Sequence, residues 1–212
     1  MGLIDKKAFV QAFQKVLEGK GNRKFLQSAE IAISMRGIDF TKSENRLNLD
    51  VVLPRGKGGK APKIAVIADD ATCNNAKKAG AELTILPNEI PNYTAKERIT
   101  DLADNYMLLA QPNLMGNVAK SLGQYLGPRG KLPRPIVGDV VPLMARTRNS
   151  VRIASKGKYL PAAHAFIGTE NMSADELGEN ADSVFEAVKA KVGEGAIKNV
   201  YVKLTMSAPV KV

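Results

Sequence analysis

Pro54-Arg-Gly-Lys-Gly-Gly-Lys-Ala-Pro-Lys63-Ile-Ala-Val-Ile-Ala68 is where this chain changes character. The first ten residues are basic and rich in Gly and Pro, the composition of a linker. Five apolar residues follow without a polar break, the pattern of a strand buried on both faces, as in parallel sheets. Beyond them the spacing predicts a short helix through Ala76–Ala79, a strand over 82–86, a helix over 94–105, a strand over 106–110 and a helix over 114–126. Strand and helix alternate three times, which predicts a parallel sheet covered by helices.

The residues before the linker read differently. Ala8, Phe9, Ala12, Phe13, Val16 and Leu17 form one apolar stripe at helical spacing, with Asp5 placed to cap it and Gly19, Gly21 and Asn22 to stop it. Ala29, Ile31, Ile33 and Met35 then point one way while Ser28, Glu30 and Ser34 point the other, and Leu47, Leu49, Val51 and Leu53 form a second alternating run, the mark of half-buried strands. The last third resembles this first third: a basic strand over 150–154, a strand over 164–169, a long helix opened by the capping box Ser173/Glu176, and a strand running from Asn199 to Ser207. Neither terminal piece has enough elements for a core. Together they predict a discontinuous α+β domain, residues 1–62 and 151–212, with an antiparallel sheet and helices on one face. The βαβ segment, residues 63–150, is read as an insert in it. Two chain crossings between domains make a natural hinge. Its candidate residues are Arg55, Gly56, Gly58, Gly59 and Arg148.

Composition narrows the function. The chain has 212 residues, 31 Lys+Arg against 21 Asp+Glu, and a formal charge of +10. It is 44% hydrophobic, enough for a core, yet no stretch nears the roughly 18 unbroken apolar residues that span a bilayer. The N-terminal residues lack an apolar signal core, so a cytoplasmic protein without a membrane partner is expected. One cysteine, Cys73, and one histidine, His164, cannot make an internal disulfide or a Cys/His zinc site. The charge excess therefore favours a polyanionic partner. The split domain carries 20 basic and 13 acidic residues, net +7, and the insert 11 and 8, net +3.

Several motifs offer catalysis and fail on chemistry. Gly127-Pro-Arg-Gly-Lys-Leu-Pro-Arg-Pro135 looks like a phosphate loop, but Leu132 stands where Ser or Thr is needed and Tyr125 where the first Gly belongs. Its prolines also remove N–H donors. The strand ending at Ala68 leads to Asp69-Asp70, not to a glycine fingerprint; these acids read first as a helix cap, with a metal site as the alternative. His164, on an alternating strand, reads as packing or a satisfied donor. More telling are three acid-free basic clusters: Lys20, Arg23 and Lys24; Arg55, Lys57, Lys60 and Lys63; and Arg146, Arg148, Arg152, Lys156 and Lys158. They point to phosphate contact.

Leu126-Gly-Pro-Arg-Gly-Lys-Leu-Pro133 resembles the signature of the ribosomal protein L-one family of the large-subunit lateral stalk. Arg23-Lys-Phe-Leu-Gln-Ser28, Val52-Leu-Pro-Arg-Gly56 and Val200-Tyr-Val-Lys-Leu-Thr-Met206 agree in the same order, over essentially the whole chain, and the short length resembles the archaeal branch. The resemblance implies that the insert, residues 63–150, is a Rossmann-like three-layer α/β domain, and that the protein is non-enzymatic, cofactor-free and binds the stalk of large-subunit rRNA. It also implies help for tRNA leaving the exit site, repression of translation by binding its own mRNA, and a monomer off the ribosome. The RNA surface it implies comprises Lys24, Phe25, Ser28, Glu30, Arg152, Lys156, His164, Lys203, Thr205, Met206 and Ser207; Ser207 stands where glycine is common in bacteria. On such a surface Thr205 and Ser207 would bond ribose 2′-hydroxyls, and strict alternation puts Met206 on the opposite face. The rival function is a nucleotide-binding enzyme built on the insert. A general single-strand binder is disfavoured by an aromatic content of 5%.

Overall fold

The structure is a computed structural model, and it describes residues 5–21, 23–42, 45–59, 62–154 and 160–212. The chain divides into two compact units, Met1–Ala61 with Asn149–Val212, and Pro62–Arg148. They are called the split unit and the inserted unit below.

The split unit is built on an antiparallel sheet of β1 (Ser28–Met35), β8 (Ala162–Thr169), β9 (Ile197–Leu204) and β10 (Val210–Lys211), in the order β10-β9-β1-β8. Along β1 every second residue is buried, so only one face of the sheet is in the core. That face is covered by α1 (Lys6–Leu17) and α6 (Ala174–Val192). Phe9 and Phe13 of α1 are fully buried, and Phe9 meets Phe185 of α6 edge to face with centroids 5.7 Å apart. Each such ring stabilises the unit by about 1.5–3 kcal/mol through burial. The helices approach closely because α6 carries Gly178 at the contact, where a Cβ would sit 2.6 Å from Val10 Cγ2. Ser173 and Glu176 form the expected capping box at the start of α6. Asp5 occupies the cap position of α1 but its side chain makes no cap bond; its carbonyl accepts from Ala8 and Phe9 instead.

Three features depart from the sequence pattern. First, β2 (Asn48–Val52) does not join the main sheet. It pairs with β7 (Ser150–Ala154) as a separate two-stranded ribbon, Asn48 opposite Ala154 and Val52 opposite Ser150. These strands flank the points where the chain leaves and re-enters the split unit, so they run side by side there. Second, β9 ends at Leu204 rather than Ser207, because the Ser207 amide turns back onto Leu204 O at 3.1 Å. Third, 140–149 is a helix, α5 (Val140–Asn149), which abuts β7 with no loop between. Its Pro142 lies in the first turn, where no amide donor is needed.

The inserted unit has a parallel sheet in the order β4-β3-β5-β6, from β3 (Lys63–Ile67), β4 (Leu83–Ile85), β5 (Tyr106–Ala110) and β6 (Arg134–Pro135). Ile64 to Ala68 are all fully buried. Ala65 and Ile67 pack with α3 (Lys96–Asn105) and α4 (Met115–Leu126), while Ile64 and Val66 pack with α2 (Asp70–Lys78) and α5. Both faces of this sheet are therefore covered. Cys73 is on the buried side of α2, its thiol pushed above its usual pKa by burial. Among the described residues no helix is long and apolar enough to cross a membrane.

Candidate nucleic-acid interface

A buried carboxylate organises one end of the open-faced sheet. Glu170, in the turn after β8, is 7% exposed and accepts from Gly21 N (3.2 Å), Gln27 N (2.9 Å) and Gln27 Nε2 (3.0 Å). Its own amide donates to Gln27 O at 3.1 Å. Gln27, 2% exposed, accepts from Met206 N through its side-chain oxygen at 3.2 Å. The segment before β1 and the turn after β9 are thereby fixed together. The Met206 side chain, 57% exposed, and Phe25, 49% exposed, flank this network, with Lys24 exposed beside Phe25. The alternation that put Met206 on the opposite face fails because the strand has already ended.

The two hydroxyls are partly committed. Thr205 Oγ1 accepts from Ser28 N at 3.0 Å and donates to Ser28 O at 3.3 Å, while Thr205 N donates to that same carbonyl at 3.0 Å. Ser207 Oγ accepts from Leu204 N at 2.8 Å and faces the carbonyls of Leu204 and Ala208 at 3.3 and 3.2 Å. A hydroxyl has one donor and two acceptor sites, so each has an acceptor site left for a ribose 2′-hydroxyl and no proton to give. The sequence reading singles out neither Gln27, though it stands inside the Arg23–Ser28 motif, nor Glu170. Nothing in their spacing marks them, since they sit 143 positions apart.

The other expected contacts are distributed. Glu30 on β1, Lys203 on β9 and His164 on β8 lie on the sheet face away from the helices, with Glu30 opposite Lys203 and His164 opposite Ala32. Arg152 sits on the β2–β7 ribbon, its Nε donating to Asn48 Oδ1 at 3.0 Å. Lys156 lies outside the described residues, as do Lys60 and Lys158 of the basic clusters.

Most residues read as hinge elements are anchored. Arg55 N donates to Asn180 Oδ1 at 2.9 Å and its guanidinium is paired with Glu179, which Lys6 also contacts at 2.9 Å. The Arg55 hydrogen bond holds the Glu179 carboxyl down to a pKa of about 2. The fully buried Asn180 donates through Nδ2 to Gly56 O at 3.0 Å, and Thr169 Oγ1 donates to Gly58 O at 2.8 Å. Gly58, at φ +62°, is required there: a Cβ would collide with Thr169 Oγ1 and stand 2.8 Å from Met172 Sδ. Gly59 is exposed at φ +92°. Arg148 belongs to the inserted unit, where its guanidinium binds Gly80 O and, at 2.9 Å, Glu82.

The inserted unit's loops keep their donors at home. After α4 the amides of Gly127, Gly130 and Lys131 donate to Gly123, Gly127 and Leu126 carbonyls at 2.8–2.9 Å. A phosphate cradle needs such amides free. Asp69 caps α2 by accepting from Thr72 N at 2.9 Å, and hydrogen bonding to the Thr72 side chain and then to this amide lowers its pKa. Gln111, after β5, ties down the same turn, accepting from Asp69 N at 3.1 Å and donating to Thr72 Oγ1 at 3.0 Å. Among the described residues no group of three His, Cys, Asp or Glu could hold a metal ion.

Residues 14–208 match the model of the ribosomal protein L1p/L10e family. A Thermococcus kodakarensis protein named large ribosomal subunit protein uL1 is 39% identical over 99% of this chain and 98% of its own length. The Archaeoglobus fulgidus protein of that name is 38% identical, with 99% of each chain covered, and the Thermofilum pendens one 42% identical over 90% of this chain and 85% of its own.

Proposed function

The chain belongs to the ribosomal protein L1p/L10e family, and from that premise we propose that its split unit grips large-subunit rRNA where β1 begins and β9 ends. It is a structural, non-enzymatic component of the large ribosomal subunit, and its work is cytoplasmic. The observation that carries the proposed contact is the Glu170–Gln27–Met206 network, which fixes two segments remote in sequence and leaves Phe25 and Met206 exposed. Lys24 supplies the salt-dependent phosphate attraction, and the acceptor sites of Thr205 and Ser207 take 2′-hydroxyl protons, a contact DNA does not offer.

The RNA bound is the mobile lateral stalk, and through it the protein assists release of tRNA from the exit site. The same surface takes a mimic of that RNA on the protein's own mRNA and represses its translation, one RNA excluding the other. Off the ribosome the protein is a monomer, and the two units are separate domains. Filter binding of large-subunit rRNA by Thr205→Ala, Ser207→Ala and Lys131→Ala tests the placement. The first two weaken binding more than the third, and the reverse order would move the contact to the inserted unit.

A further inference from the structure

The open face of the split unit's sheet carries a second feature beyond the edge just described. Ala32, in the middle of β1, has Tyr201 of β9 opposite it on one side and His164 of β8 on the other. All three lie on the face away from α1 and α6, His164 exposed and Tyr201 and Ala32 half-buried. Neighbouring strands are about 4.8 Å apart, so the two ring-bearing positions stand about 10 Å apart across a floor that is only a methyl group. A flat ring held between two others needs two van der Waals gaps of about 3.5 Å each. The slot has the width for one heteroaromatic ring and is too narrow for a packed helix.

Its surroundings favour a nucleotide. One row along, Glu30 lies between Lys203 and Phe166; in the other direction Ser34 lies between Asn199 and Ala162. Lys211 of β10 stands opposite Tyr201, so Lys203 and Lys211 are both on the Tyr201 side, where a phosphate would run. Glu30 is the one carboxylate among the described outward residues of these strands. It repels phosphate but accepts from exocyclic amines, which places a base edge, rather than backbone, beside it.

We infer that a single unstacked base of the bound RNA inserts over Ala32 between Tyr201 and His164, with its phosphates toward Lys203 and Lys211. This rests on the proposed rRNA binding by the split unit and adds a base-reading subsite to it. The test uses the full chain and large-subunit rRNA at fixed salt. Base–aromatic stacking predicts that Tyr201→Ala weakens binding about 5- to 150-fold, that Tyr201→Phe stays within about twofold, and that Ala32→Leu, which fills the slot, matches Tyr201→Ala. Ultraviolet crosslinking followed by peptide mass spectrometry shows nucleotide adducts on the Tyr201 or His164 peptide, lost in Ala32→Leu. Thermal melting of each variant near that of the unaltered chain excludes misfolding; Tyr201→Phe against Tyr201→Ala carries the comparison if Ala32→Leu melts early. Unchanged affinity in Tyr201→Ala with no adduct on either peptide overturns the slot, while a loss in Thr205→Ala in the same assay keeps the rRNA contact. Failure of the unaltered chain to prefer rRNA over unrelated RNA of equal length overturns both.

Discussion

The two units solve the problem of covering a sheet in opposite ways. In the inserted unit the run Ile64–Ala68 is buried throughout, because helices pack on both faces and consecutive side chains enter different cores. In the split unit α1 and α6 cover one face, and the odd residues of β1 are buried while the even ones are not. A doubly covered parallel sheet has no face left for a partner, and here the loops at its strand ends bond their own amides and side chains. A singly covered antiparallel sheet keeps a face and an edge. The charge follows the same division, net +7 on the split unit and +3 on the inserted one.

Stability and binding should separate along that line. Leu109→Ala, at a fully buried site in the inserted unit, is expected to cost about 2–5 kcal/mol in denaturant unfolding while leaving rRNA affinity unchanged below the transition. Glu170→Ala acts on both properties. It leaves the Gly21 amide and two Gln27 donors without their acceptor, costing about 3 kcal/mol and more than tenfold in rRNA affinity. A variant that lost stability but bound normally would show that the network only supports the fold. Thr205→Ala should weaken rRNA binding about 5- to 30-fold, the scale of one hydrogen bond in a dry contact plus a loosened turn. Lys131→Ala should change it about twofold and only through the slope of affinity against salt.

The smallest effect concerns Arg55 and Glu179. Because the folded-state pKa of Glu179 is lowered to about 2 from an ordinary 4.5, its contribution to stability is full above about pH 4.5. It is lost as pH falls toward 2. Melting curves of the unaltered chain and Glu179→Gln should differ slightly at pH 7 and converge as pH falls through about 2. A difference that did not shrink there would show that packing, not charge, holds the segment around Arg55.

Local patterns carried the reading of the fold from sequence, and non-local ones escaped it. The apolar run after Lys63, the α1 stripe and the Ser173/Glu176 box are each written within a few residues. The β2–β7 ribbon is not, since alternation shows that a strand is half-buried and not which strand it pairs with. Pro142 hid α5, and the turn that ends β9 hid both β10 and the direction of Met206. At the proposed interface, Phe25, Thr205 and Met206 came from motifs shared with a family. Gln27 and Glu170, which hold them, came only from the folded chain. A buried Glu in a turn has the same local sequence as an exposed one.

The central claim is that the split unit alone carries rRNA binding. Val52 and Ser150 are paired directly across the ribbon, so residues 62–148 can be replaced by a short Gly-Ser turn. The affinity of that shortened chain for large-subunit rRNA, measured beside the full chain at one salt concentration, is predicted to stay within about tenfold. Affinity reduced to that for unrelated RNA, in a chain that still melts cooperatively, would contradict the account.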